Sequence, residues 1–156
     1  MKNNIVLITG ATQGIGLATS KLLSSSGYQV VGIARNTLDN YPGELYTCDL
    51  ADRMATDKIL HTIKDRHPQI LQIVNNVGIV ARQPLEEITL DTLSQVFDLN
   101  VRTAVQTTQA FIGEMKAAKY GRIINLTSRA LIGIKNLSSY TAAKSALLGL
   151  TRTWAI

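Results

Sequence analysis

Residues Ile5-Val6-Leu7-Ile8-Thr9-Gly10-Ala11-Thr12-Gln13-Gly14-Ile15-Gly16 decide the fold. The first five form an apolar, β-branched run of strand length, and a helical pattern follows from Gly14 to about Ser26. Gly10 permits a tight turn between the two. Gly14 lets the backbone approach a ligand closely, and Gly16 lets the helix pack close to the strand. The free N–H groups at the start of such a helix suit a pyrophosphate. A glycine pattern alone is weak, but one that follows a first strand and opens a first helix has the context that gives it meaning. A ligand-free glycine turn is the competing reading, and that context disfavours it.

The alternation continues outward. The first helix carries Ile15, Ala18, Leu22 and Leu23 on one side, with Gly27 as its C-cap. Residues 29–34 read as a second strand. A turn at Tyr41-Pro42-Gly43 leads to a short third strand at 45–48. Residues 53–67 form an amphipathic helix that ends before Pro68. Residues 70–75 give a fourth strand, 89–98 and 100–118 helices, and 122–127 a fifth strand. The last helix runs from about Ser139 to the end. Short strands alternating with longer helices mean βαβ units. The fold class is therefore α/β: a doubly wound, Rossmann-like parallel sheet of about five strands, in one domain over residues 1–156. Ligands of such sheets bind at the carboxyl ends of the strands, near the switch point.

Composition narrows the function. The 156 residues carry a net charge of +5 and are 46% apolar, enough for one core. Cys48 is the only cysteine, so no internal disulfide forms, and it reads as a small buried apolar residue. No leader-like segment or long apolar run appears, which predicts a cytoplasmic protein with no membrane span. His61 and His67 are the only histidines. With one cysteine they make no zinc set, so no metal is expected. Both read as surface positions of the helix at 53–67, far from a serine nucleophile, which argues against a Ser-His hydrolase. The basic residues are scattered with few aromatics among them. That pattern fits a phosphorylated small molecule better than nucleic acid.

The second strand ends Ile33-Ala34-Arg35-Asn36. An NAD site usually places an acid near here, and the nearest is Asp39, farther into the loop. The Arg35 guanidinium suits a 2′-phosphate, so NADP(H) is favoured over NAD(H). A solvated surface arginine is the plainer alternative. Asp49 in Cys48-Asp49-Leu50 either accepts from an adenine amino group or caps a turn.

Tyr140 and Lys144 stand four apart, twelve residues after Ser128. On a helix that spacing puts phenol and ammonium on one face. A nearby cation favours the phenolate, and lowering a phenol pKa of about 10 by roughly three units takes about 4 kcal/mol. A tyrosine tuned that way exchanges protons with a carbonyl or alcohol oxygen. The spacing alone favours an ordinary, partly exposed pair.

Together these residues resemble the short-chain dehydrogenase/reductase family in its single-domain form. Residues 122–154 are especially similar to the 3-oxoacyl-carrier-protein reductase type. The resemblance rests on the loop from Thr9 to Gly16, on Asn75-Asn76-Val77-Gly78, on Asn100 in Asp98-Leu99-Asn100-Val101, on Ser128, and on the Tyr140–Lys144 pair. Val77 stands where the family has alanine. The resemblance implies an NADP(H)-dependent oxidoreductase that transfers hydride between nicotinamide and a small-molecule carbonyl or alcohol. Tyr140 would be its general acid and base, and Lys144 would tune it and hold the nicotinamide ribose. Ser128 would orient the substrate oxygen. Asn100 would interrupt its helix and hold a water toward Lys144. Gly10, Thr12, Gln13, Gly14, Ile15, Gly16, Arg35, Asp49, Leu50, Asn76 and Gly78 would hold the dinucleotide, together with Tyr140 and Lys144.

Members of this form are longer than 156 residues, and no cap or stop signal follows Trp154. The expectation is a C-terminally incomplete unit lacking the last two strands and the substrate lid. The alternative function is then a weak or inactive dinucleotide-binding or self-associating fragment. The fifth strand should be a sheet edge. Apolar faces of helices 100–118 and 140–156 should be exposed and drive homo-oligomerisation.

Overall fold

The five residues of β1 (Ile5–Thr9) are all buried, as a central parallel strand covered on both faces must be. A computed structural model describes residues 4–156. After β1 come α1 (Gly14–Ser25), β2 (Gln29–Ala34), β3 (Glu44–Thr47), α2 (Arg53–Arg66) and β4 (Gln72–Asn75). Then follow α3 (Leu90–Phe97), a π-helical turn (Asp98–Arg102), α4 (Thr103–Ala117), β5 (Arg122–Asn125) and α5 (Ser138–Trp154). The strands form one parallel sheet in the order β3-β2-β1-β4-β5. The chain moves from β1 out to β3, then returns to the other side of β1. The switch point therefore lies between β1 and β4, where the glycine loop and Asn76 meet.

Strand alternation separates two cores. Leu7, Val31 and Ile73 face α2 and α4, where they meet Leu60, Ile63, Phe111 and Met115. Val6, Ile8, Val30 and Val74 face the other way, toward Leu23 of α1. α5 lies on the α4 side. Asn75 Nδ2 donates to Thr108 Oγ1 of α4 (3.4 Å) and to Asn125 Oδ1 (2.8 Å), and Asn125 Nδ2 donates to Thr151 Oγ1 of α5 (2.9 Å).

Several sequence expectations change. The ladder of β4 starts at Gln72, not residue 70, because pairing begins opposite Val6, while Ile70 and Leu71 are buried in the approach from α2. β3 is shifted one residue earlier, to Glu44–Thr47, and β5 ends at Asn125. The apolar face expected on α1 is split: Ile15 is 64% and Leu22 65% exposed, while Leu23 packs on the second core. The buried residues of α1 are Gly16 and Ser20. Small residues bring the helix axis close to the sheet, and that close approach wins over the bulkier stripe. His67 is not a surface residue. It is 7% exposed, and its Nε2 lies 2.9 Å from Glu44 Oε2 at the foot of β3.

β5 is an edge strand, and Ile124 is exposed. Of the apolar faces expected to be bare, Phe111, Met115 and Leu147 are buried, Ile112, Leu148, Leu150 and Trp154 are half-buried, and Ile156 is exposed. None of the described helices is long and apolar enough to cross a membrane.

α1 ends as its glycine foretells. Gly27 has φ +84°, its N–H donates to Ser24 O, and Tyr28 N–H donates to Leu23 O, both at 3.0 Å. Gly113 differs, being an exposed residue inside α4 with open space where a Cβ would go. Gly113→Ala should raise the urea unfolding free energy by about 0.5–1 kcal/mol through helix propensity. Gly27→Ala should lower it by about 1–2 kcal/mol, because alanine resists the left-handed conformation.

Candidate functional site

The tip of β1 and the tip of β4 are tied by two residues. Asn76 Nδ2 donates to Thr9 O (2.9 Å) and Gly10 O (3.0 Å). Thr9 Oγ1 accepts from Asn76 N and Val77 N, both at 3.1 Å. Thr9 is fully buried. Sequence reasoning placed it at the end of a strand and the start of the glycine loop but gave it no bonding role, though a threonine closing an apolar run is the signal that could have found it. Gly10 turns the chain with φ +68°. A Cβ on Gly16 would strike Gly10 O and stand 2.6 Å from Asn76 Nδ2, so only glycine fits beneath this knot.

Above the knot opens a cleft of about 280 Å³. Of the sequence-predicted cofactor residues, Gly10, Thr12, Gln13, Gly14, Ile15, Arg35, Asp49, Leu50, Asn76 and Gly78 line it. Gly16, Tyr140 and Lys144 do not; Gly16 is buried under the loop, and the other two lie on α5. Ala34, Asn36, Cys48, Val77, Ile79 and Leu99 also line the cleft and were not foreseen. Burial and nearby Asp49 push the Cys48 thiol pKa up, so it is an apolar wall rather than a nucleophile. Asp49 caps a turn, the plainer of its two readings. Its Oδ1 accepts from Ala51 N (3.0 Å), and the residue lines the cleft.

The N-terminus of α1 faces this space with no side-chain cap and no acid in its first turn. Its first N–H groups have no intrahelical acceptors, and the helix dipole adds partial positive charge there. Arg35 and Asn36 stand at the far rim, at the end of β2. Helix N–H groups at one end and the Arg35 guanidinium at the other give the cleft positive potential that suits anions.

The catalytic candidates gather at the other end. Lys144 lies on α5, 4% exposed, and its Nζ donates to Leu126 O (2.7 Å) just past β5. That Nζ is 5.8 Å from the centre of the Tyr140 ring. Lys144 is thus buried rather than half-exposed, while Tyr140 is half-buried. Burial pushes the Lys144 pKa down from 10.5 to about 8. Ser128 Oγ accepts from Ala130 N (3.1 Å) and caps a short 3₁₀ turn (Arg129–Ile132). Its own hydrogen can therefore still be donated elsewhere.

Asn100 sits in the π-helical turn between α3 and α4, the interruption implied by its resemblance. Its Nδ2 donates to Val96 O (2.8 Å) and Ile79 O (3.0 Å). Two carbonyl partners fix which end of the amide is nitrogen. The Oδ1 atom is left buried without a partner. Gly78 joins the two ends of the site. A Cβ there would strike Asn100 Oδ1 and lie 3.4 Å from Lys144 Nζ.

Comparison with known proteins agrees with this geometry. The short chain dehydrogenase family model matches residues 4–156. The 3-oxoacyl-(acyl-carrier-protein) reductase of Mycobacterium avium is 30% identical over 151 residues, covering 95% of this chain and 58% of that relative. A short-chain dehydrogenase structure from Streptomyces avermitilis superposes with TM-score 0.92 at 29% identity, covering 99% of this chain and 60% of that one. A metagenomic short-chain oxidoreductase solved in complex with NADP gives TM-score 0.89 at 28% identity, covering 98% and 75%. The chain spans about three-fifths of the length of the first two. It belongs to the short-chain dehydrogenase family.

Proposed function

We propose that the chain carries the dinucleotide site and the proton-transfer group of an NADP(H)-dependent oxidoreductase acting on a carbonyl/alcohol pair. One observation carries this reading. A buried ammonium beside Tyr140 meets, through Gly78, a glycine-lined cleft with an uncapped helix N-terminus at its floor. The relative solved with NADP supports the choice of cofactor.

Gly10, Gln13, Gly14 and Ile15 would hold the pyrophosphate on backbone N–H groups. Arg35 would pair with the 2′-phosphate, and Asp49 and Leu50 would hold the adenine. When bound, the nicotinamide supplies or accepts the hydride, while the protein contributes position and proton. Tyr140 gives its phenolic proton to the substrate oxygen in reduction and takes it back in oxidation. Ser128 donates its free hydrogen to the same oxygen and fixes its direction. Lys144 places positive charge where a phenolate develops, in surroundings dry enough for that charge to count. Asn100 Oδ1 needs a donor, since a buried carbonyl without one costs about 1–3 kcal/mol. A water shared with Lys144 would supply it and carry protons outward.

A second reading, dinucleotide binding without turnover, has one observation in its favour. The cleft ends near Gly78 and Ile79 and does not extend around Ser128 or Tyr140. A carbonyl there would be less shielded from water than catalysis requires.

Tyr140→Phe separates the two readings. With NADPH and a panel of ketones and β-ketoacyl thioesters, the variant should lose about 10²–10⁴-fold in rate and keep its dinucleotide affinity. An unchanged rate would remove Tyr140 from the chemistry. Wild-type binding without any turnover would favour the second reading.

Lys144 gives a pH signature. Folded, it releases its proton near pH 8; unfolded, near 10.5. Between these values the unfolded chain holds more protons, so stability rises with pH across that window. Below the window both states are charged, and the burial cost is present in full. Lys144→Met removes this titration. The urea midpoint of the wild type relative to that variant should therefore improve from about pH 7 to about pH 10. A constant difference would contradict a buried, weakly basic ammonium.

A further inference from the structure

We infer that Arg102 is a positioning residue that locks the adenosine side of the cleft onto the helical turn carrying Asn100. The inference rests on the reading of the cleft as a dinucleotide site. Arg102 ends the π-helical turn, two residues beyond Asn100. Its side chain is only 16% exposed.

Its guanidinium spends its donors across the gap between two elements. Nη2 donates to Leu50 O and to Ala51 O, both at 2.9 Å, in the loop after β3. Nη1 donates to Thr56 Oγ1 (3.5 Å) and to Gln106 Oε1, and Nε reaches Asp98 Oδ1 (3.5 Å). Other bonds cross the same gap, among them two from Gln106 Nε2, to Arg53 O (3.3 Å) and Asp57 Oδ1 (2.6 Å). Thr103 Oγ1 donates to Leu50 O (3.2 Å), and Arg53 Nη2 donates to Asp98 Oδ1 (2.8 Å).

The loop so held bears directly on the cleft, because Asp49 and Leu50 line it. Asp49 is exposed, and Ala51 N is the donor that directs its carboxylate. Arg102 holds the carbonyl of that same Ala51. The aim of Asp49 is thus set two bonds away by a side chain rooted beside Asn100. A planar fork can serve two carbonyls at once; a lysine ammonium is a point charge on a flexible stem and cannot reproduce that geometry. Loosening this clamp should act on the adenosine half of the ligand before it acts on the phosphates, whose cradle is made by the separate loop after β1.

The test compares wild type, Arg102→Met and Arg102→Lys by two readouts. Titration calorimetry uses adenosine 2′,5′-bisphosphate and NADP⁺, and hydrogen exchange follows the amides of residues 49–53 without ligand. In Arg102→Met both dissociation constants should rise roughly tenfold. Amides 49–53 should exchange faster while those of β1 keep their rates. Arg102→Lys should recover only part of the affinity. If Arg102→Met does not fold, Arg102→Lys decides by the same readouts. Faster exchange with unchanged affinity overturns the positioning role and leaves a merely structural one. Unchanged exchange and affinity overturn the lock altogether. A wild type that binds neither ligand, with exchange still faster in the variant, overturns the dinucleotide reading and leaves the lock standing.

Discussion

The side-chain amide of Asn76, donating to the carbonyls of Thr9 and Gly10, is the interaction on which the rest of the site depends. The topology brings β1 and β4 side by side, but their tips need not share a fixed height. One amide and one threonine hydroxyl set that height, using donors and acceptors that strand ends leave unpaired. Everything above follows from it. The glycine loop turns over the knot, and α1 starts at a fixed place. Gly16 can then sit where any Cβ would strike Gly10 O. The uncapped N–H groups of α1 are left facing a cleft rather than bulk solvent.

The end of the site at Lys144 obeys a second constraint, the cost of burying charge. An ammonium out of water keeps its proton less readily, which is why Lys144 falls to about 8. One carbonyl, Leu126 O, compensates in part. The unpaired Oδ1 of Asn100 stands across Gly78 from the same lysine. The π-helical turn puts that oxygen there: an extra residue in the helix lets the Asn100 nitrogen satisfy Val96 and Ile79 while the oxygen looks inward. Polar groups buried with unspent hydrogen-bonding capacity mark places prepared for something else.

The strand–loop–helix order and the parallel sheet were legible in the sequence, because β-branched runs and glycines act locally. The glycine loop of the cleft was legible for the same reason, whereas Asn76 and Gly78 came from the family resemblance; Gly16, Tyr140 and Lys144 were expected at the dinucleotide and do not line the cleft. What was not legible depends on partners far along the chain. Ile15 and Leu22 fit an inward helical stripe, yet α1 turns its small residues to the sheet. His67 read as a surface position because nothing in its helix announces Glu44, twenty-three residues earlier. Arg102 read as one scattered cation, although its acceptors Leu50 and Ala51 come from another loop. Strand ends shifted because apolar burial at Ile70 and Leu71 continues beyond the hydrogen-bonded ladder.

The account stands on the proposal that the cleft with Arg35 at its rim holds a phosphorylated dinucleotide. Parallel calorimetric titrations with NADP⁺ and NAD⁺ at one fixed salt concentration test it most directly. NADP⁺ should bind more tightly, by roughly tenfold or more, since a guanidinium–phosphate pair is a strong charge-assisted contact. Absence of binding by both nucleotides would contradict the account.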